Sequence, residues 1–499
     1  MQANQTLLSK ENLSPQEQEQ YTAVQHSPIT ILQIGEGNFL RGFVDWMIAQ
    51  CRAKGLYQGA IAVTQPRPSG KAKIEKLNAQ DQLYTLVIRG LEKGERVEER
   101  QVMNVFASAF DPYSQWEKLL ELAERPELEF VVSNTTEAGL SYKPEELREG
   151  QPIQSFPGKL AYFLYKRYLA FEGAADKGLI MLPTELLERN GDELKRCVLQ
   201  FSRDWGLPEA FIQWVEAHNR FLNSLVDRIV TGYPAQEAEN WFAQWGYRDE
   251  LLNTAEPYHL WAIEGEPQLD ERLPLQQAGL NVHWVDDLRP YQQRKVRLLN
   301  GSHTLMTPIA LLHGLRQVRE VMEHEQWGAF VREAAKEEII PATPLDSAEL
   351  AAYSETVFER FLNPYIEHRL ADIAMNSISK FKARLLPSLQ GYHSRYGKLP
   401  ERIVQAFAAL LLLYKVRKTE EGWAGTDLTG QTYLVRDDEQ ALAAVSHVWA
   451  EAKQGQTAAE TAQRLLALTD VWGQGLAAIN GLAERLGDYI EEMERSRHE

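Results

Sequence analysis

A chain of 499 residues, 44% hydrophobic and 25% charged, has the make-up of a soluble globular protein and more length than one core usually serves, so two domains are expected. Its 53 Lys and Arg against 70 Asp and Glu leave a formal charge of -17, which repels phosphate backbones and excludes nucleic acid as a natural partner. Two cysteines, Cys51 and Cys197, cannot build a disulfide framework or a cysteine metal centre. No apolar run approaches the roughly 20 residues of a membrane span, so a cytoplasmic protein with no membrane partner is expected.

Residues 1–27 read as a loose polar tail. Ile29-Thr-Ile-Leu-Gln-Ile34, between Pro28 and Gly35, is short, β-branched and apolar, as a buried strand should be. Phe39, Leu40, Phe43, Val44, Met47, Ile48 and Cys51 follow at helical spacing, and Gly59-Ala-Ile-Ala-Val-Thr64 makes a second strand. Tyr84–Leu91 and Arg96–Val102 flank Glu92-Lys-Gly-Glu95 and predict a hairpin inserted in the sheet. Trp116–Glu124 predicts a helix, and Glu129–Ser133 and Gly178–Leu182 predict further core strands. The alternation gives an α/β fold: a Rossmann-type dinucleotide-binding domain over 28–286. From there helical patterns dominate (290–315, 346–361, 366–382, 400–416, 437–453, 457–468, 473–493), which predicts a mostly α-helical substrate and catalytic domain over 287–499.

Gly35-Glu36-Gly37-Asn38-Phe39-Leu40 sits between the first strand and its helix. The first glycine permits a tight turn, and the second lets backbone N–H groups approach a pyrophosphate. Leu40 stands where a third glycine is usual, and Arg41 offers a charge to the phosphates. The second strand ends in Thr64-Gln-Pro-Arg67, with no acid for the ribose, so the spacing leaves NAD and NADP open.

A second signal is Arg294-Lys-Val-Arg-Leu-Leu-Asn-Gly-Ser-His303. At about 100° per residue on a helix, Leu299 lies about 40° and His303 about 80° from Lys295, with Asn300 near 140°. Arg294 and Arg297 fall on the opposite side, at roughly 260° and 200°. A lysine in an apolar stripe loses basicity by desolvation and can serve as a base. An amide and an imidazole beside it suit alcohol–ketone interconversion. Gly301 predicts room for a substrate to approach.

These motifs, together with Ser133-Asn-Thr-Thr-Glu-Ala-Gly139, resemble the mannitol dehydrogenase family of long-chain, zinc-independent polyol and sugar-acid dehydrogenases. Asp227-Arg-Ile-Val-Thr-Gly-Tyr-Pro234 and Phe361-Leu-Asn-Pro-Tyr-Ile366 point to its sugar-acid members. The resemblance implies NAD as cofactor, a small sugar-acid substrate and no metal. The cofactor-binding candidates are Ile34, Gly35, Glu36, Gly37, Asn38, Phe39, Leu40, Arg41, Arg67, Ser133, Thr135 and Glu137. By the same resemblance Lys295 is the general acid/base, Asn300 and Asn190 form the oxyanion hole, and His303 positions hydroxyls. Asp227 and Lys380 would contact substrate. Two departures stand out. Gln292 replaces a glutamate that many polyol members carry, and Asn376-Ser-Ile replaces Asp-Gly-Ser, as for a substrate other than a neutral polyol. A family member acting on another keto sugar acid (fructuronate), a neutral-polyol enzyme and a non-catalytic NAD(H) and sugar-acid sensor are the competing readings. A sensor needs no general base.

Overall fold

The computed structural model describes residues 6–452 and 455–496, and the chain divides into two compact units, Met1–Leu288 and Arg289–Glu499. The first is built on a six-stranded sheet: β1 Ile29–Ile34, β2 Ala60–Thr64, β3 Phe106–Phe110, β4 Phe130–Ser133, β5 Ile180–Pro183 and β6 Arg220–Phe221. All neighbours are parallel, in the spatial order β3-β2-β1-β4-β5-β6. The order reverses between β1 and β4, which opens a crevice at their carboxyl ends.

The strands are near-continuous apolar runs because both faces of the sheet are covered. Phe130 and Val132 of β4 enter one core with Ile31, Ile61 and Val63, while Val131 enters another with Leu32, Ile34 and Ala62. The helix Val44–Ala53 closes the first core through Val44, Met47 and Ile48. The helices Trp116–Ala123 and Phe156–Ala170 close the second.

Three local expectations differ from what forms. The polar tail carries a helix, Pro15–Gln25, because Ser14 and Glu17 make a reciprocal capping box and Pro15 takes the first turn. The predicted helix after Gly37 is two pieces, α1 Asn38–Arg41 and α2 Val44–Ala53, broken at Gly42 and Phe43. A Cβ on Gly42 would stand 2.9 Å from Val230, so this glycine supplies the close packing expected of a glycine at position 40. The hairpin Tyr84–Glu92 and Glu95–Met103 forms with Lys93 and Gly94 both at positive φ, but it pairs with Asn253–Ala255 in a separate three-stranded sheet.

The second unit is mostly helical. Its elements that matter for the site are α3 Arg289–Arg294, a π-helical turn Lys295–Asn300, α4 Gly301–Leu312, α5 Ser347–Phe361, α6 Ser377–Arg384, α7 Leu386–Tyr396 and α8 Glu401–Leu413. Leu410 and its neighbours in α8 are buried all round, so this longest apolar run is a core helix. The predicted helix over 366–382 is interrupted: Leu370–Ile373 ends before Asn376, which takes a left-handed φ of 56° and starts α6. A small antiparallel sheet, Arg417–Thr419, Gly422–Thr426 and Thr432–Val435, was not legible as strands among the helical patterns. Among the described residues no helix is long and apolar enough to cross a membrane.

Candidate active site

The glycine turn closes over the end of β1. Gly35 has φ 144°, and its N–H donates to Thr64 O on β2 at 2.8 Å. A Cβ there would lie 2.9 Å from Asn134 O and 3.0 Å from Leu40, so both space and backbone demand glycine. A Cβ on Gly37 would meet no protein atom within 4 Å. Packing therefore does not explain Gly37, and the space beside it is left open. Ile34 and Leu40 are buried supports of the turn, and Phe39 stacks on Phe43 with ring centroids 4.9 Å apart.

Arg41 does not offer its charge to phosphates. Its guanidinium is buried and donates to Glu36 O, to Leu251 O and to Asn38 Oδ1, and it lies over the Tyr84 ring. It holds the turn from behind. Glu36 is buried as well. Its carboxylate stands at the loop that follows β2, 2.6 Å from where a Cβ of Gly70 would be. Burial raises its pKa, opposed by its own backbone N–H and by the charges of Lys73, Arg41 and Arg67. An acid is thus present beside the end of β2, supplied from the glycine turn rather than from the strand. Gln65, the residue at the strand end, donates to Asp111 Oδ1 at 2.7 Å.

Arg67 and Thr135 come from motifs far apart in sequence and line one cavity of about 450 Å³, with Thr136, Gly139, Lys143 and Glu145. Arg67 is exposed, as is Glu137 in the turn after β4. The buried Ser133 donates to Glu185 Oε2 at 3.1 Å, and Thr135 donates its N–H to Glu185 Oε1 at 2.9 Å. Glu185 was missed in the sequence. Its place directly after β5, at a carboxyl strand end, is the signal that would have found it. Lys159 was missed too. It is buried, with its pKa lowered to about 7 by desolvation, and its Nζ donates to Pro66 O, Ile153 O, Gln154 O and Tyr113 Oη. Four oxygen partners give it a structural occupation.

Asn190 starts the helix Asn190–Asp204 and is fully engaged. Its Nδ2 lies 3.1 Å from Pro183 O, Glu185 O and Ser224 O, and its Oδ1 accepts from Gly191 N and Ser224 N. This amide stitches β5 to the strand Ser224–Asp227, a different task from the oxyanion hole expected of it. Asp227 ends that strand, buried, opposite Leu260.

The remaining candidates lie in the second unit. Lys295–Asn300 is wound wider than an α-helix: Gly301 N–H reaches back five residues to Val296 O. The 100° wheel therefore fails across it, and π turns of this kind mark functional sites. Lys295 is half-buried rather than sunk in a stripe. Arg294 and Arg297 are only partly exposed. Arg294 lies over the rings of Tyr291 and Tyr353, and Arg297 donates to Ser388 Oγ at 3.4 Å. Gly301 gives no room to a substrate, since a Cβ there would touch Leu385 at 3.6 Å.

His303 is the buried centre of this unit's site. It stacks on Phe361 at 4.3 Å, meets His368 edge-on at 4.6 Å, and among the described residues its Nε2 has no hydrogen-bond partner. Burial, then the charges of His368, Arg384, Arg360 and Lys380, hold its pKa well below the usual histidine range, so the ring is neutral. Lys380 donates its Nζ to Ile373 O at 2.7 Å. Thr304 donates to Asn300 O at 3.0 Å and accepts from Arg384 Nη1 at 3.2 Å. Sequence reasoning missed His368, Arg360 and Arg384, which are scattered over two helices and a loop with no spacing to unite them.

A family model for the mannitol dehydrogenase Rossmann domain matches residues 29–277, and one for the mannitol dehydrogenase C-terminal domain matches 287–494. The altronate oxidoreductase of Bacillus subtilis is 43% identical over 466 residues, 93% of each chain. The chain belongs to the mannitol dehydrogenase family. Other relatives in the family are the altronate oxidoreductases of Halalkalibacterium halodurans, 39% identical over 93% of this chain and 90% of its own length, and of Yersinia enterocolitica, 41% identical over 93% and 94%. Among solved structures, a D-sorbitol dehydrogenase superposes with a TM-score of 0.77 at 20% identity, covering 95% of each chain. Mannitol 2-dehydrogenase of Pseudomonas fluorescens, solved with NAD and D-mannitol, gives 0.64 at 21% identity, covering 99% of this chain and 96% of its own. These two likenesses carry the fold, Rossmann-type followed by helical.

Proposed function

We propose that this chain is an NAD-dependent altronate oxidoreductase, a cytoplasmic enzyme that interconverts tagaturonate and altronate in hexuronate catabolism. The observation that carries the reading is the agreement of two facts: relatives of that name align over 93% of the chain, and His303, just after the turn bearing Lys295 and Asn300, lies among cations suited to an acid.

The first unit holds the cofactor through the turn Gly35–Gly37, with Ser133 and Thr135 steadied by Glu185, and the cavity lined by Arg67 and Thr135 accepts its adenosine end. NAD(H), when bound, supplies or takes up the hydride. Glu36 accepts from the ribose hydroxyls in place of the missing strand-end acid, and its charge disfavours a 2′-phosphate. Lys295 gives a proton to the alkoxide as the ketone is reduced, and takes it back in the reverse direction. Asn300 donates to the same oxygen. No hydrogen bond of its own amide is found among the described residues, in contrast to Asn190. Neutral His303 presents Nε2 to a substrate hydroxyl.

The test is NADH oxidation followed by absorbance with a panel of keto-uronates and ketoses. Tagaturonate should give the highest kcat/KM. A preference for fructuronate or for an uncharged ketose overturns the assignment. Loss of the NADH preference in Glu36→Gln, read as the ratio of kcat/KM for NADH and NADPH, tests the ribose role separately.

A further inference from the structure

A sugar acid differs from a sugar by one carboxylate, and a chain with a net charge of -17 must gather cations locally to receive it. In the second unit, three cations bear on the buried imidazole of His303: Arg384, Arg360 and Lys380. They are not equivalent. Lys380 has its ammonium on Ile373 O at 2.7 Å and Asp437 as a nearby negative charge. Arg360 is buried and has interactions of its own.

Arg384 stands apart. It ends α6, is half-buried, and among the described residues forms no ion pair; its one hydrogen bond is Nη1 to Thr304 Oγ1 at 3.2 Å. That hydroxyl in turn donates to Asn300 O at 3.0 Å, so one short relay ties the guanidinium to the turn carrying Asn300 and to the residue beside His303. Its backbone is close as well: a Cβ on Gly301 would lie 3.8 Å from Arg384 O. Desolvation lowers the guanidinium's pKa, as for a buried cation that lacks a counter-charge. A second half-buried arginine, Arg297, lies on the turn itself and donates to Ser388 rather than to Thr304.

We propose that Arg384, braced by Thr304 against the Asn300 turn, receives the carboxylate of the sugar-acid substrate and sets the preference for acids over neutral sugars. One nitrogen is held by the hydroxyl, and the rest of the planar fork is left to bind a carboxylate, an arrangement an ammonium does not reproduce. This rests on the function proposed above and names the residue that would make the substrate an acid.

The test uses the full-length enzyme with Arg384→Met, Arg384→Lys and Thr304→Val, each assayed with tagaturonate and with an uncharged ketose. Loss of a charge-assisted contact should raise the KM for tagaturonate by about 100-fold in Arg384→Met, with a smaller effect on kcat. The loss with the ketose should be at least about tenfold smaller. Arg384→Lys should recover part of the loss, and Thr304→Val should raise the KM for tagaturonate in the same sense but less. Equal losses for charged and neutral substrates overturn the assignment and make Arg384 structural. If Arg384→Met does not fold, unchanged KM for tagaturonate in both Arg384→Lys and Thr304→Val overturns it equally. A wild-type enzyme that prefers uncharged ketoses overturns the function and this inference together, whereas tagaturonate turnover with equal losses overturns this inference alone.

Discussion

The turn after β1 and the turn around Lys295 are the two places proposed to carry chemistry, and they are built by opposite means. At Gly35–Gly37 the backbone itself is the proposed working surface, and the sequence shows it because only glycine tolerates φ 144° with Asn134 O at 2.9 Å. At Lys295–Asn300 the side chains are the proposed working groups, and the backbone places them by winding wide, which no residue type announces. The first site is written in the residues that must be absent. The second is written in a hydrogen-bond pattern that ordinary helix formers adopt.

The comparison breaks most sharply at Lys295. Lys295→Ala should cut turnover by about 10³-fold while the circular dichroism spectrum and NADH affinity stay near wild type. Added primary amines should restore part of the rate, and near-normal turnover without them would remove Lys295 from the chemistry. The two amides come next. Asn300→Ala should lower kcat by about 10²-fold with little loss of stability. Asn190→Ala should lower stability by roughly 1–3 kcal/mol in denaturant titrations, because it leaves buried backbone groups unpaired. The reverse pattern would return Asn190 to the oxyanion hole.

In the glycine turn, Gly37→Ala should fold normally but weaken NADH by about tenfold in a fluorescence titration, while Gly35→Ala should also lose stability. Equal stability losses would mean that both glycines serve packing. A pH effect concerns Asp45, buried behind that turn, where Oδ2 accepts from Gln33 and, among the described residues, Oδ1 has no partner. Burial pushes its pKa from 3.8 up to about 8, so the native state keeps a proton that the unfolded chain releases. Stability from this group is complete below about pH 4 and falls with rising pH, by up to roughly 1.4 kcal/mol per unit, until about pH 8. Asp45→Asn should flatten the pH dependence of the denaturation midpoint over that window; parallel curves for the two proteins would show that Asp45 is already ionised.

Much of the first unit was readable because its parallel strands are unbroken apolar runs between glycines and prolines. The six-strand order itself was not, since pairing across Phe130 and Ile31 is a long-range fact. In the second unit the helices were readable from their period, but the interruption at Asn376 was not, because it depends on one left-handed residue inside an otherwise periodic stretch. The site followed the same rule. Lys295, Asn300 and His303 are close in sequence and stood out together. Glu185, His368 and Arg384 meet their neighbours only through the fold. Buried-lysine reasoning drew attention to Lys295, yet among the described residues the buried lysine is Lys159, held by four oxygens and invisible to a helical wheel.

The wide turn has a consequence for how this protein tolerates change in length. A π turn holds one residue more than the α-helical turn it replaces, so it is an insertion stored inside a helix. Removing Val296 would let α3, the turn and α4 run on as one ordinary helix with every backbone donor still paired. Such a deletion keeps the helix and, because the wide turn has already absorbed the extra residue, leaves Lys295 near its present phase relative to His303. A second π turn, Ala335–Ile339, lies beside the first. Elsewhere in a helix a one-residue deletion turns everything on one side of it by about 100°; here it would be felt as a narrowed turn, in a chain that keeps its phase.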